Sequence, residues 1–103
     1  MSGKFTLAAL SLVSATSIQA NPADADHAIH ARNLAGNCTS CHVDRARSSP
    51  FLPTLAGVPQ AGLLRKLRAF RDGELPATVM HQIARGYTDE QLALIAAHFA
   101  ARP

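Results

Sequence analysis

The chain has 103 residues, a formal net charge of +3 at pH 7 and two cysteines. This length sets a limit of one domain, and two thiols are too few for a four-cysteine zinc or iron–sulfur site. The excess of positive charge is small, which argues against nucleic acid as a partner.

The N-terminal segment has the pattern of a secretory signal peptide. Lys4 supplies a basic start, Phe5 to Ile18 form an apolar run, and Ala20 offers a small residue before the cleavage point. The run is about 14 residues long, shorter than the roughly 20 that a membrane-spanning helix needs. We therefore predict a signal peptide over residues 1–20, a periplasmic location, and a mature domain over residues 21–103 without a membrane span.

The first predicted helix runs from Asn21 to Gly36. Asp24 or Asp26 is expected to cap its N-terminus, where a carboxylate also interacts favourably with the helix dipole. Small and aliphatic side chains recur at helical spacing and define one face that suits a close helix crossing. This face comprises Ala28, Ala31, Leu34 and Ala35.

The segment after this helix, Cys38-Thr39-Ser40-Cys41-His42, has the C-x-x-C-H pattern of a c-type haem attachment site. Two residues between the cysteines let one turn present both thiols to one porphyrin edge, and His42 lies close enough to bind the iron. A thiol redox pair is an alternative, but it is expected in a βαβ context. A zinc site is a further alternative, in which the adjacent Cys41 and His42 would be awkward tetrahedral ligands.

The next predicted element is a proline-containing loop from Val43 to Gly62. A histidine that binds a metal needs a hydrogen-bond acceptor for its other ring nitrogen, often a backbone carbonyl. The extended segment at Pro53 is the candidate for this acceptor, and Leu55 is expected to contact the porphyrin edge. The alternative is an ordinary turn that contains proline.

The second predicted helix runs from Gln60 to Asp72 and is stopped by Gly73. Its apolar stripe comprises Leu63, Leu64, Leu67 and Phe70, and a basic row takes the other side, with Arg65, Lys66, Arg68 and Arg71. Such a row is most often a solvated face, and the alternative is a docking surface for an acidic partner.

A loop from Glu74 to Val79 leads to Met80, the only methionine of the predicted mature chain. A single methionine is usually core filler. Here it stands at a boundary between a loop and a helix, where its side chain can reach the distal face of a haem. We predict Met80 as the sixth iron ligand, with His81 as the competitor.

The last predicted helix begins near Thr88. Thr88 and Gln91 form a capping box, with acidic residues in the first turn. Its apolar face comprises Leu92, Ile95, Ala96 and Phe99. No stretch of the chain shows sustained alternation with a period of two, so we predict a small all-α fold.

The order of these features resembles class I cytochrome c over essentially the whole mature chain. The resemblance implies three to four helices wrapped around one covalent haem c, with the first and last helices crossing at a small residue. It assigns axial iron ligation to a histidine and a methionine. The matching positions are Cys38, Cys41, His42, Pro53, Leu55, Gly57 and Met80, with Leu34 and Phe99 at the crossing.

A narrower resemblance is to the haem subunit of flavocytochrome c sulfide dehydrogenase. It is carried by Leu67 to Gly73 and by Pro76 to Glu90, most specifically by the Met-His-Gln-Ile-Ala-x-Gly-Tyr stretch from Met80 to Tyr87.

Two positions depart from the pattern of class I cytochromes, namely Val43, where glycine is frequent, and Gly62, where an aromatic residue is usual. Neither of them is a ligand.

The leading functional hypothesis is a periplasmic electron carrier that transforms no substrate itself. The narrower resemblance implies a flavoprotein (FAD) subunit that oxidises sulfide as the electron donor, and a soluble c-type cytochrome as the acceptor. The first alternative is a free-standing single-haem carrier for a terminal oxidase or reductase. The others are a periplasmic thiol oxidoreductase that uses Cys38 and Cys41, and a haem sensor with an open distal site in which Met80 does not bind.

Overall fold

A computed structural model describes residues 3, 14–19, 21–42 and 48–103. Most of the predicted signal peptide and the loop residues 43–47, which include Val43, lie outside the described residues. The described part is all-helical and contains no strand, which confirms the predicted fold class. Its helices are α1 (Pro22–Thr39), α2 (Gln60–Arg71), α3 (Met80–Ala84) and α4 (Asp89–Ala100).

Helix α1 differs from its prediction at both ends. Asn21 caps the helix by accepting the Ala23 N–H at 3.3 Å, and Pro22 takes the first helical position, so neither Asp24 nor Asp26 is the cap. Proline at this position sacrifices no internal hydrogen bond and has the helical φ already set. The helix also continues past Gly36 to Thr39. A single internal glycine costs only about 1 kcal/mol relative to alanine, which contacts with another helix readily offset.

The core lies where α1 crosses α4. Ala35 of α1 packs against the predicted apolar face of α4, all four members of which are buried, and Ala31 is buried one turn earlier on α1. Ala28 is exposed, so the predicted small-residue face of α1 was wrong at this position. The reason is length, because α1 has 18 residues and α4 has 12. Only the C-terminal half of α1 is covered, and residues 21–30 are all exposed.

Helix α4 begins as predicted. The Thr88 hydroxyl accepts the Gln91 N–H at 3.2 Å, and the Gln91 side-chain oxygen accepts the Thr88 N–H at 2.9 Å, which completes the capping box. Two N–H groups that would otherwise lack partners at the helix start are thereby satisfied. The helix start is therefore specified by four consecutive residues, independently of the rest of the fold.

Helix α2 packs on α4 through Leu63 and Leu67, which are buried, and ends as predicted before Gly73, whose φ is +76°. A positive φ is accessible to glycine without a steric penalty. The helix begins at Gln60 as predicted, with Pro59 at its cap, so the loop ends before Gly62, which was its predicted limit.

Two cations of the predicted basic row, which is solvated as expected at Arg68, form ion pairs at the surface. The Asp89 carboxylate at the start of α4 accepts hydrogen bonds from Arg68 Nε at 3.1 Å and from Arg71 Nη1 at 2.7 Å. These guanidinium groups lower the pKa of Asp89 below its usual range, through the hydrogen bonds of Arg71 first and of Arg68 second. The resulting ion-pair cluster, Arg68–Arg71–Asp89, ties α2 to α4.

No helix in the described ranges is long and apolar enough to cross a membrane.

Candidate haem site

The predicted site residues meet at one cleft of about 750 Å³. This volume lies within the range of ligand and cofactor sites in proteins. The cleft is formed by the C-terminal end of α1, the loop before α2, α2 itself, and the chain from Leu75 to α3. All six predicted site residues line it, namely Cys38, Cys41, His42, Pro53, Leu55 and Met80.

The two cysteines occupy the last turn of α1 and the residues that follow it. The Cys38 carbonyl accepts the Cys41 N–H at 3.3 Å and the His42 N–H at 2.9 Å, so the chain continues in a tight turn after the helix ends at Thr39. Cys38 is half-buried beside the core and Cys41 is exposed, and both line the cleft. One turn of chain thus presents two thiols and an imidazole to the same cavity.

The environment of Cys38 is unlike that of a reactive thiol. Burial raises the pKa of the Cys38 thiol, and a backbone hydrogen bond lowers it by less than burial raises it. Reactive cysteines instead have a lowered pKa, which keeps them as thiolates near neutral pH. The described residues also contain no strand, so the βαβ context of a thioredoxin-like redox pair is not found in them.

His42 is oriented by the proline-containing loop. Its Nδ1 lies 2.7 Å from the Pro53 carbonyl oxygen. A carbonyl oxygen only accepts hydrogen bonds, so Nδ1 carries the proton and donates it. In a neutral imidazole this leaves the Nε2 lone pair free to bind a metal, which is how a backbone acceptor fixes a ligating histidine.

Met80 is the first residue of α3, which confirms the predicted boundary between a loop and a helix, although the sequence analysis did not predict a separate short helix here. Its side chain is half-buried, packs against the core and lines the cleft. His81, the predicted competitor, is half-buried but does not line the cleft. The structure therefore brings the thioether, and not the second imidazole, to the same cavity as His42.

Several cleft residues escaped the sequence analysis. The walls include large apolar side chains that remain exposed, of which Phe51 is 91 % exposed and Val79 is 51 % exposed. Leu52, Leu75 and Ile83 share these properties. Most of them lie in proline-containing loops, where no helical period marks one side chain as inward-facing. The neighbouring prolines were the only local feature of the sequence that set these residues apart.

The chemistry of the cleft fits a haem c. Two thiols for covalent attachment, an imidazole with its second nitrogen already bonded, and a thioether are the donors that this group requires. The apolar walls match its flat, apolar faces. The described residues contain no cluster of three or more His, Cys, Asp or Glu side chains that could hold a metal ion, so a zinc site has no counterpart among them.

Comparison with known proteins agrees with this reading of the cleft. The chain is 34 % identical over 71 residues to cytochrome c-554(548) of Halomonas halodenitrificans, a match that covers 65 % of this chain and 86 % of the relative. The chain belongs to the class I cytochrome c family. As a cytochrome c of this kind, it is a c-type electron carrier, and haem c is the cofactor that its relatives imply.

A second relative is the cytochrome subunit of sulfide dehydrogenase from Chlorobaculum tepidum. It is 35 % identical over 66 residues, which are 64 % of this chain. This cytochrome c chain spans only 60 % of that relative's length. No protein-family model matches the chain.

Proposed function

We propose that this cytochrome carries one haem c, held covalently by Cys38 and Cys41, with His42 and Met80 as axial ligands, and that it works in the periplasm. The observation that supports this assignment best is the convergence of all four side chains on one apolar cleft. When bound, the haem supplies reversible one-electron chemistry at its iron.

The protein side chains determine how rigid the site is. The Pro53 carbonyl holds the His42 ring in a single tautomer and orientation through the 2.7 Å hydrogen bond. Contacts with the core restrict the Met80 side chain. Leu55 is half-buried beside the same core and adds an apolar side chain to the cleft wall. A rigid, largely apolar site suits electron transfer, because little has to reorganise when the charge changes.

The first test is the absorption spectrum of the protein produced with intact haem attachment. We expect sharp, split bands on reduction and, in the oxidised protein, the weak near-red band of a methionine–iron bond. Met80→Ala should lose the near-red band, whereas His81→Ala should keep it, because His81 does not line the cleft. A colourless wild-type product would refute the assignment, and a wild-type haem spectrum without the near-red band would move the sixth ligand to His81 or leave that position open.

We further propose that a flavoprotein that oxidises sulfide donates electrons to this cytochrome, and that a soluble c-type cytochrome accepts them. The name of the Chlorobaculum relative and the stretch from Met80 to Tyr87 support this partnership. The competing candidate is a free-standing carrier for a terminal oxidase or reductase, and it is favoured by the match to cytochrome c-554(548), which covers 86 % of that relative.

These two candidates are distinguished by affinity purification from the native periplasm. Recovery of a flavin-containing protein in a constant ratio to haem, with sulfide-dependent reduction of the haem in the purified complex, would support the flavoprotein partnership. Recovery of the cytochrome alone, with no reduction by sulfide when periplasmic extract is added, would favour the free-standing carrier.

A further inference from the structure

A single side-chain hydrogen bond links α1 to the segment that follows α3. Asn37 Nδ2 donates to the Tyr87 hydroxyl oxygen at 3.1 Å, across 50 residues of sequence. Neither residue was expected to have a role in the site. Asn37 nevertheless lies beside Cys38, which is proposed to hold the haem covalently. Tyr87 follows the short helix that begins with Met80, the proposed iron ligand.

Asn37 belongs to the cysteine side. It directly precedes Cys38 in the last turns of α1 and lines the cleft. The α1 backbone is anchored close by, because Ala35 is fully buried against α4. The Asn37 amide is therefore presented from a helix that has little freedom to move.

Tyr87 belongs to the methionine side. Helix α3 spans only Met80 to Ala84, and the Tyr87 N–H returns to the Ala84 carbonyl at 3.3 Å. Met80 and Tyr87 thus stand at opposite ends of one short, internally bonded unit. Both side chains pack against the same core cluster. If α3 shifts so that Met80 leaves the cleft, Tyr87 must therefore move with it, or the hydrogen bonds within the segment from Met80 to Tyr87 must break.

We propose that the Asn37–Tyr87 hydrogen bond is a latch that positions Met80 over the cleft. Tyr87 acts as a positioning residue, since its hydroxyl fixes the end of the α3 unit to the helix that carries Cys38. The latch rests on the proposed ligation by Met80. Its absence shifts the equilibrium toward forms in which Met80 has left the haem.

The alternative is a hydrogen bond that only adds to global stability. Such a bond would lower the unfolding midpoint without changing how readily Met80 is displaced. The two roles separate in a measurement made on the folded, haem-loaded protein, with an added ligand that competes with Met80.

The test is the binding of imidazole to the oxidised protein, followed by the loss of the near-red methionine band. Tyr87→Phe retains the ring that packs on the core and removes only the hydroxyl, and Asn37→Ala removes the other partner. Asn33→Ala is the matched control, because Asn33 is an exposed asparagine on the same helix. A thermal unfolding curve of each variant reports global stability separately.

We expect Tyr87→Phe and Asn37→Ala each to bind imidazole about fivefold more tightly, the factor that corresponds to one ordinary hydrogen bond. The double variant should bind no more tightly than either single variant, because both changes break the same bond. Asn33→Ala should match the wild type.

Two results would overturn the latch. One is imidazole affinity of Tyr87→Phe equal to that of the wild type, and the other is additive effects in the double variant, since the two side chains would then act separately. A wild-type protein that lacks the methionine band altogether would instead refute the ligand assignment in the proposed function, which keeps the two failures distinct.

Discussion

The crossing of α1 with α4 and the walls of the cleft use the same kinds of apolar side chain with opposite results. At the crossing, Ala35, Leu92 and Ala96 have no exposed surface. Along the cleft, Phe51 is 91 % exposed and Val79 is 51 % exposed. At the crossing, the helices bury each other's apolar side chains without any other group. In the cleft, the apolar side chains form a concave surface that suits a flat prosthetic group.

The largest expected effect comes from removing the covalent attachment. A domain of this size buries a thin core and usually depends on a cofactor, metal or crosslink. We expect Cys38→Ala/Cys41→Ala to release its haem on acid–organic extraction and to lose its cooperative thermal transition, as measured by far-ultraviolet circular dichroism. Thr39→Ala, which changes an exposed residue between the two cysteines, is the control and should retain both properties.

A double-cysteine variant that melts close to the wild-type temperature would show that the crossing alone stabilises the fold. The cleft would then not depend on a bound haem for the stability of the fold.

A change within the crossing should have an intermediate effect. Ala35 is fully buried against α4, so Ala35→Leu forces extra methyl groups into a closed contact and should lower the free energy of unfolding by about 1–3 kcal/mol. Ala28→Leu makes the same substitution on the same helix at an exposed position and should leave stability nearly unchanged. Denaturant titration measures both. Equal effects of the two substitutions would contradict the placement of the crossing at Ala35.

The smallest effect belongs to the exposed ion-pair cluster. Because Arg71 and Arg68 lower the pKa of Asp89, the folded state binds this proton more weakly than the unfolded state. The stabilisation is therefore present above the ordinary aspartate pKa, about 3.9, and is lost as the pH falls through the lower folded value. Asp89→Asn should slightly lower the melting temperature at pH 7 and make no difference in strong acid.

Glu90→Gln is the matched control for this substitution. Glu90 is the next residue of the same first helical turn and is exposed, so it shares the favourable interaction with the helix dipole. If Asp89→Asn and Glu90→Gln lower the melting temperature equally, the dipole and not the two arginines accounts for the effect.

Local chemistry determined which features the sequence could predict. The start of α4 was predicted correctly, because Thr88 and Gln91 satisfy each other's backbone groups within four residues. The N-terminus of α1 was not, because Asn21, Asp24 and Asp26 are all plausible caps and Pro22 decided among them. The exposure of Ala28 depends on how far α4 reaches along α1, which no local pattern contains.

In the site, too, features that lie within a few consecutive residues were predictable, and those that join distant residues were not. The C-x-x-C-H motif is contiguous, and it led directly to Cys38, Cys41 and His42. The Asn37–Tyr87 hydrogen bond joins two side chains 50 residues apart, and nothing near either residue indicates the other. Phe51 was missed because an isolated aromatic residue in a loop has no periodic partners to show which way it faces.

The crossing of α1 with α4 also sets an order in time. The buried residues of α1 find their partners on α4, which is synthesised after every other described helix. A growing polypeptide that already displays Cys38 and Cys41 therefore lacks the helix that covers Ala35. Contacts this distant along the chain form late, because a long loop must close first. Cys38, which is half-buried beside this core, is consequently covered only after the last helix has docked, whereas Cys41 is exposed in the folded protein as well.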